Sequence, residues 1–178
     1  MKTSILLTFV LLFSFIAQAQ TSFYELKAET ITGETFDFST LKGKKVLIVN
    51  TASKCGYTKQ YADLEKLYQE YGGEDFVIIG FPANNFMKQE PGTNEEILNF
   101  CTTEFGVTFP MMAKISVKDD DMHPVYQWLT SKEQNGVMDS EVKWNFQKYM
   151  IDEEGNFIDF AKTGVNPLDD EIIKFIKK

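Results

Sequence analysis

The chain has 178 residues, with 26 Asp plus Glu against 18 basic residues that are all lysine, two cysteines and one histidine. A net charge of −8 with no arginine argues against nucleic acid or an anionic membrane as partner, and leaves anion recognition to lysine, helix N-termini and backbone amides. A single histidine does not furnish a His/Cys zinc cluster.

Lys2, the apolar run Ile5 to Ile16 and then Ala17, Gln18 and Ala19 have the charged, apolar and small-residue parts of a secretory signal, with cleavage expected after Ala19. The apolar run is too short to favour a retained membrane helix. Residues 1–19 therefore read as a cleavable signal and 20–178 as one domain, exported to a periplasmic or secreted location and free of the membrane once cleaved. Losing Lys2 takes the net charge to −9, and the 159 remaining residues are enough to bury a core.

Phe23 to Thr30 and Thr35 to Phe38 read as strands about a Thr32-Gly33-Glu34 turn, an N-terminal hairpin. Val46 to Asn50 is a continuous apolar strand, as expected inside a sheet covered on both faces. Tyr61, Leu64, Leu67, Tyr68 and Tyr71 recur at helical spacing before Gly72 and Gly73, and Phe76 to Gly80 is the next buried strand. A helix joining two strands makes a right-handed crossover, so these strands run parallel.

Thr93 and Glu96 form a capping-box pattern ahead of Ile97, Leu98, Phe100, Cys101 and Phe105, placing Cys101 on or near the end of a helix. Met111 to Val117 reads as a strand and Pro124 to about Ser131 as a helix, with His123 a structural residue at its start. Trp144 to Asp152 and Asn156 to Phe160 form a hairpin about Glu153-Glu154-Gly155, and a last helix opens at Asp169, Asp170 and Glu171 and closes with Lys174, Lys177 and Lys178. The pattern is α/β: a mixed sheet flanked by helices.

Cys55 lies where the apolar strand gives way to a polar turn and then an amphipathic segment, at or just before a helix start. Backbone N–H groups and the helix dipole stabilise a thiolate in that setting. Position alone also admits a buried core cysteine, and in an exported chain the default for two cysteines is a structural disulfide between Cys55 and Cys101. Lys54 could favour a thiolate by charge or simply be a solvated flank.

From Lys45 to about Ala161 the sequence resembles the glutathione peroxidase family, a branch of the thioredoxin-fold superfamily, in four ordered blocks. These are NTASKCGYT from Asn50 to Thr58, GFPANNFMKQEPG from Gly80 to Gly92, GVTFP from Gly106 to Pro110, and KWNF from Lys143 to Phe146. The resemblance implies a thioredoxin-like fold and a peroxidase in which Cys55 is the peroxide-reactive residue, with Gln89, Trp144 and Asn145 completing the catalytic site. A thiolate attacking an O–O bond needs stabilisation of its anion and a donor to the leaving hydroxide, with no metal or cofactor, and these three side chains carry neutral N–H donors.

Cys101 occupies the position that resembles the resolving cysteine of thioredoxin-dependent members. The implied cycle takes Cys55 through a sulfenic acid to a Cys55–Cys101 disulfide that a thioredoxin-like protein reduces. Ala83 stands where many members have a third cysteine, and Met87-Lys88 replaces a stretch that is often glycine-rich. The short segment between Pro110 and His123 lacks the insertion of tetrameric members, so a monomer is expected. Two other classes stay open: a thioredoxin-like disulfide oxidoreductase, against which Thr58 stands in place of a second Cys-x-x-Cys thiol, and a non-catalytic exported domain with a structural disulfide.

Overall fold

The computed structural model describes residues 20–178; the expected signal, 1–19, lies outside the described residues. The central sheet holds four strands in the order β4-β3-β5-β6, where β3 is Lys45–Thr51, β4 Phe76–Pro82, β5 Lys148–Ile151 and β6 Phe157–Ala161. β3 and β4 pair in parallel, β3 and β5 antiparallel, and β5 and β6 form the expected hairpin with a register shift at Met150/Ile151. A separate antiparallel hairpin pairs β1 (Lys27–Glu29) with β2 (Thr35–Asp37).

Period-2 alternation between two covered faces explains the unbroken apolar run from Val46 to Val49 in β3: successive side chains serve opposite faces. Val46 and Ile48 join Val77, Ile79 and Phe81 on one face, packed under Phe23, Phe38, Tyr126 and Trp128. Leu47 and Val49 point the other way, with Ile78, beneath Tyr61, Leu64 and Leu67 of α1 (Gln60–Tyr71), Ile97 and Cys101 of α2 (Asn94–Phe105), and Ile172. That last residue belongs to the C-terminal helix α5 (Asp170–Lys177), while the first face is covered by α3 (Pro124–Thr130), followed directly by the single turn α4 (Lys132–Asn135). α1 is the crossover between the parallel strands. α2 opens with the expected capping box, Thr93 Oγ1 accepting from the Glu96 amide at 3.2 Å and the Glu96 carboxylate from the Thr93 amide at 2.8 Å. His123 caps α3 by accepting from the Val125 amide through Nδ1.

Three segments differ from expectation. Residues 23–25 form a 3-10 turn under its own capping box, so the first strand starts only at Lys27. Residues 111–117 make isolated bridges instead of a strand, because the segment meets three different partners in turn: Met111 at Gly80, Met112 at Thr30 and Ile115 at Ala83. The hairpin strand expected from Trp144 begins at Lys148, since Phe146 adopts φ 64° and turns the chain out of the ladder.

Candidate active site

Three connections meet at one end of the sheet. The Cys55 turn leaves the C-terminal end of β3, and the Gln89 loop leaves the C-terminal end of β4. The segment 144–147 enters β5, whose antiparallel pairing sets its first residue, Lys148, opposite Val49. The Phe146 amide donates to the Asn50 carbonyl at 2.6 Å and Asn50 Nδ2 to the Trp144 carbonyl at 3.0 Å, so the Trp144-Asn145 pair is strapped to the strand end from which the Cys55 turn departs.

The turn is organised by Thr58. Its hydroxyl donates to the Ala52 carbonyl at 2.8 Å and accepts the Cys55 amide at 3.0 Å, while its own amide donates to the Cys55 carbonyl at 3.1 Å. The Tyr57 amide donates to Cys55 Sγ at 3.5 Å. α1 begins at Gln60, so the thiol sits one turn ahead of the helix proper. Cys55 is 8% exposed between exposed Lys54, Gly56 and Tyr57, which leaves the sulfur at the floor of an open turn. Exposed Lys54 makes no ion pair among the described residues.

Gln89 is half-buried and tied to that turn, its carbonyl accepting the Lys54 amide at 3.0 Å. Met87 and Lys88 just before it hold φ of 50° and 54°, the left-handed region that glycine enters freely. Met87 and Lys88, which are not glycines, hold this backbone at a cost in strain. The Asn145 amide donates to Gln89 Oε1 at 3.0 Å, joining two site residues that are 56 positions apart. Asn145 itself is fully buried, its carbonyl accepting from Thr163 Oγ1 at 2.9 Å. Trp144 packs its half-buried ring on Phe86 with centroids 5.5 Å apart.

Cys101 is fully buried in α2, in the same apolar cluster as Cys55, against which Trp144 also packs. Burial pushes its thiol up to about 11. Both cysteines are free thiols here, with no disulfide between them.

Sequence reasoning missed three residues around the site. Thr58 was legible only as a non-cysteine. Buried Lys148 donates from its ammonium to Gln60 Oε1, the Phe146 carbonyl and the Val165 carbonyl at 2.6, 2.8 and 2.7 Å, bracing the turn beside Asn145. Glu90 is buried beside Gln89. An ionisable residue inside an otherwise apolar strand was a usable signal for Lys148; Glu90 carried none, since it lies in a polar loop.

The architecture is that of a thioredoxin-like protein. A thioredoxin-family thiol:disulfide interchange protein from Chlorobium tepidum, 19% identical, superposes with a TM-score of 0.63 over 89% of this chain and 97% of its own, a likeness of fold alone. The glutathione peroxidase family model matches residues 23–130. The glutathione peroxidase-like peroxiredoxin gpx1 of Schizosaccharomyces pombe is 52% identical over 138 residues, 77% of this chain and 86% of the relative. The crystal structure of Trgpx in apo form, 40% identical, superposes with a TM-score of 0.68 over 90% of this chain and 98% of its own. The chain belongs to the glutathione peroxidase family and is a thiol peroxidase.

Proposed function

We propose that Cys55 is the peroxide-reactive thiolate, that Gln89, Trp144 and Asn145 are its donors, and that Cys101 resolves the oxidised form. The observation that carries this reading is the convergence of the Cys55 turn, Gln89 and Asn145 on one strand end, with Gln89 held at both its backbone and its side chain. The Cys55 thiolate attacks the distal oxygen of a hydroperoxide, breaking the O–O bond. The sulfur takes that oxygen as a sulfenic acid, and the leaving alkoxide or hydroxide takes a proton to become alcohol or water. Neutral N–H donors suit a centre where negative charge moves from sulfur to oxygen.

Cys101 then displaces hydroxide from the sulfenic acid, and a thioredoxin-like dithiol reduces the resulting disulfide. The name of the fission-yeast relative, a peroxiredoxin, supports a protein reductant. The leader pattern of residues 1–19 supports export, and the short 110–123 segment supports a monomer. Among the described residues no helix is long and apolar enough to cross a membrane.

The test compares Cys55→Ser with Cys101→Ser. The first abolishes peroxide consumption, because a serine hydroxyl supplies no nucleophile at neutral pH. The second consumes about one equivalent in a stopped-flow burst and then stalls with a thioredoxin system, its Cys55 overoxidised by mass. Multiple turnovers by Cys101→Ser at the parent rate would reduce Cys101 to a packing residue.

A further inference from the structure

Behind the Cys55 turn lies a buried polar cluster that the donor set does not use. Glu90, Tyr61, Thr51 and Cys101 are all fully buried. Glu90 Oε2 accepts from Ser53 Oγ at 3.1 Å, and the Glu90 amide donates to Asn84 Oδ1 at 2.9 Å, which locks the residue in place. Glu90 Oε1, the Tyr61 hydroxyl oxygen and Thr51 Oγ1 have no hydrogen-bond partner, although the Tyr61 hydroxyl lies against both the Cys101 thiol and Thr51. A half-open carboxyl among unpartnered hydroxyls in a protein interior is costly, and a site that keeps one generally uses it.

Glu90 also lines a cavity of about 380 Å³, together with Ser53 and Lys54 of the Cys55 turn and Ile97 and Phe100, which flank Cys101 on α2. Glu90 therefore borders a space that runs from the turn carrying Cys55 to the α2 residues on either side of Cys101. The charged and titratable groups facing it are Lys54 from the turn, Tyr61 from α1, Glu96 and Cys101 from α2, and Lys114, whose ammonium binds the Glu90 and Gly92 carbonyls.

We infer that Glu90 is the base that receives the Cys101 proton as this thiol attacks oxidised Cys55, an assignment that rests on the resolving role proposed above. The step balances without any further reactant. Cys101 gives its proton to the Glu90 carboxylate, the S–S bond forms as the Cys55 S–O bond breaks, and the departing hydroxide takes the proton and leaves as water. A base is needed because a thiol at about 11 is ionised in only about one molecule in 10⁴ at pH 7. Burial raises the Glu90 carboxyl above its ordinary range, against the pull of Ser53, Lys114 and Lys54, which brings it nearer the working pH of a general base.

The experiment is a single turnover with one equivalent of hydrogen peroxide, quenched by alkylation and resolved by mass into thiol, sulfenic and disulfide forms, for the parent and Glu90→Gln. Peroxide attack at Cys55 stays within about twofold, whereas disulfide formation at pH 7 slows at least tenfold, within the reach of general-base catalysis. Between pH 7 and 9 the parent rate of disulfide formation is flat. That of Glu90→Gln climbs about tenfold per pH unit and converges on the parent as the thiol ionises unaided.

An unchanged disulfide rate in Glu90→Gln, or an equal slowing of both steps, overturns the inference. If that variant does not fold, the parent profile decides alone, because a tenfold rise per pH unit in the parent means no internal base. Failure of the resolving reading looks different: no Cys55–Cys101 disulfide then forms in either protein.

Discussion

Because the Asn145 side-chain amide donates to Gln89 Oε1, Gln89 keeps its own N–H donors for another partner, and the two side chains are directly coupled. We expect Gln89→Ala to slow the reaction of Cys55 with peroxide by order 10²–10³, the effect of losing one preorganised donor. Asn145→Ala should slow it as well, and the double variant should be no more than about threefold worse than Gln89→Ala, since coupled residues are not additive. Stopped-flow rates for all three decide it; single effects that multiply would show two independent donors. The residues themselves were legible only through the resemblance of their blocks to the family, since alone Gln89 reads as a surface loop residue, Asn145 as a turn residue and Trp144 as a core aromatic. Their bonding was not, since nothing in the chain announces a contact across 56 positions, nor the Thr58 hydroxyl that closes the turn.

At the level of elements, what the sequence carried was periodicity: α1, α2, β3 and β4 fall where apolar spacing places them. It failed where backbone conformation, not side-chain pattern, decides, as at Phe146 and in residues 111–117. Two predictions belong here. Cys101 is fully buried within helical residues 94–105, and a disulfide joins Cα atoms usually within about 7 Å. The disulfide form should therefore expose α2 amides, with hydrogen exchange over residues 98–105 at least about tenfold faster than in the dithiol form and β3 unchanged. Equal exchange in both forms would mean that the cysteines pair without unwinding.

The second concerns Lys148 of β5, whose pKa burial pulls down to about 7 from the ordinary 10.5, opposed by Asp169 and Glu171 and by its three close acceptors. Between those values the unfolded chain binds more protons, so this lysine makes stability rise with pH. Its penalty is full below about pH 7 and relieved toward 10.5. The slope is at most about 1.4 kcal/mol per pH unit. Lys148→Met should be less stable at pH 7, since it leaves three acceptors without their donor, and should lose that slope in urea titrations from pH 7 to 9.5. An identical slope in the variant would locate the titration elsewhere.

The whole molecule bears on the choice of reductant. It is acidic and without arginine, and the exposed lysines of the two site loops, Lys54, Lys59 and Lys88, are point charges on flexible stems. Glutathione carries two carboxylates and a net negative charge, and this surface offers it neither a favourable overall field nor a bidentate clamp. A protein dithiol would require neither, because in the proposed cycle it attacks a Cys55–Cys101 disulfide and clears the mixed disulfide with its own second thiol. Loosening of α2 around Cys101 would also present that disulfide to a partner surface, which a free tripeptide exploits poorly. At fixed peroxide, kcat/KM should be at least about tenfold higher for a thioredoxin-like donor than for glutathione. Physiological salt should narrow the gap by no more than a few-fold, since screening removes repulsion without creating a binding site. A higher efficiency with glutathione would overturn the donor and the role given to Cys101 together, while leaving the chemistry at Cys55 intact.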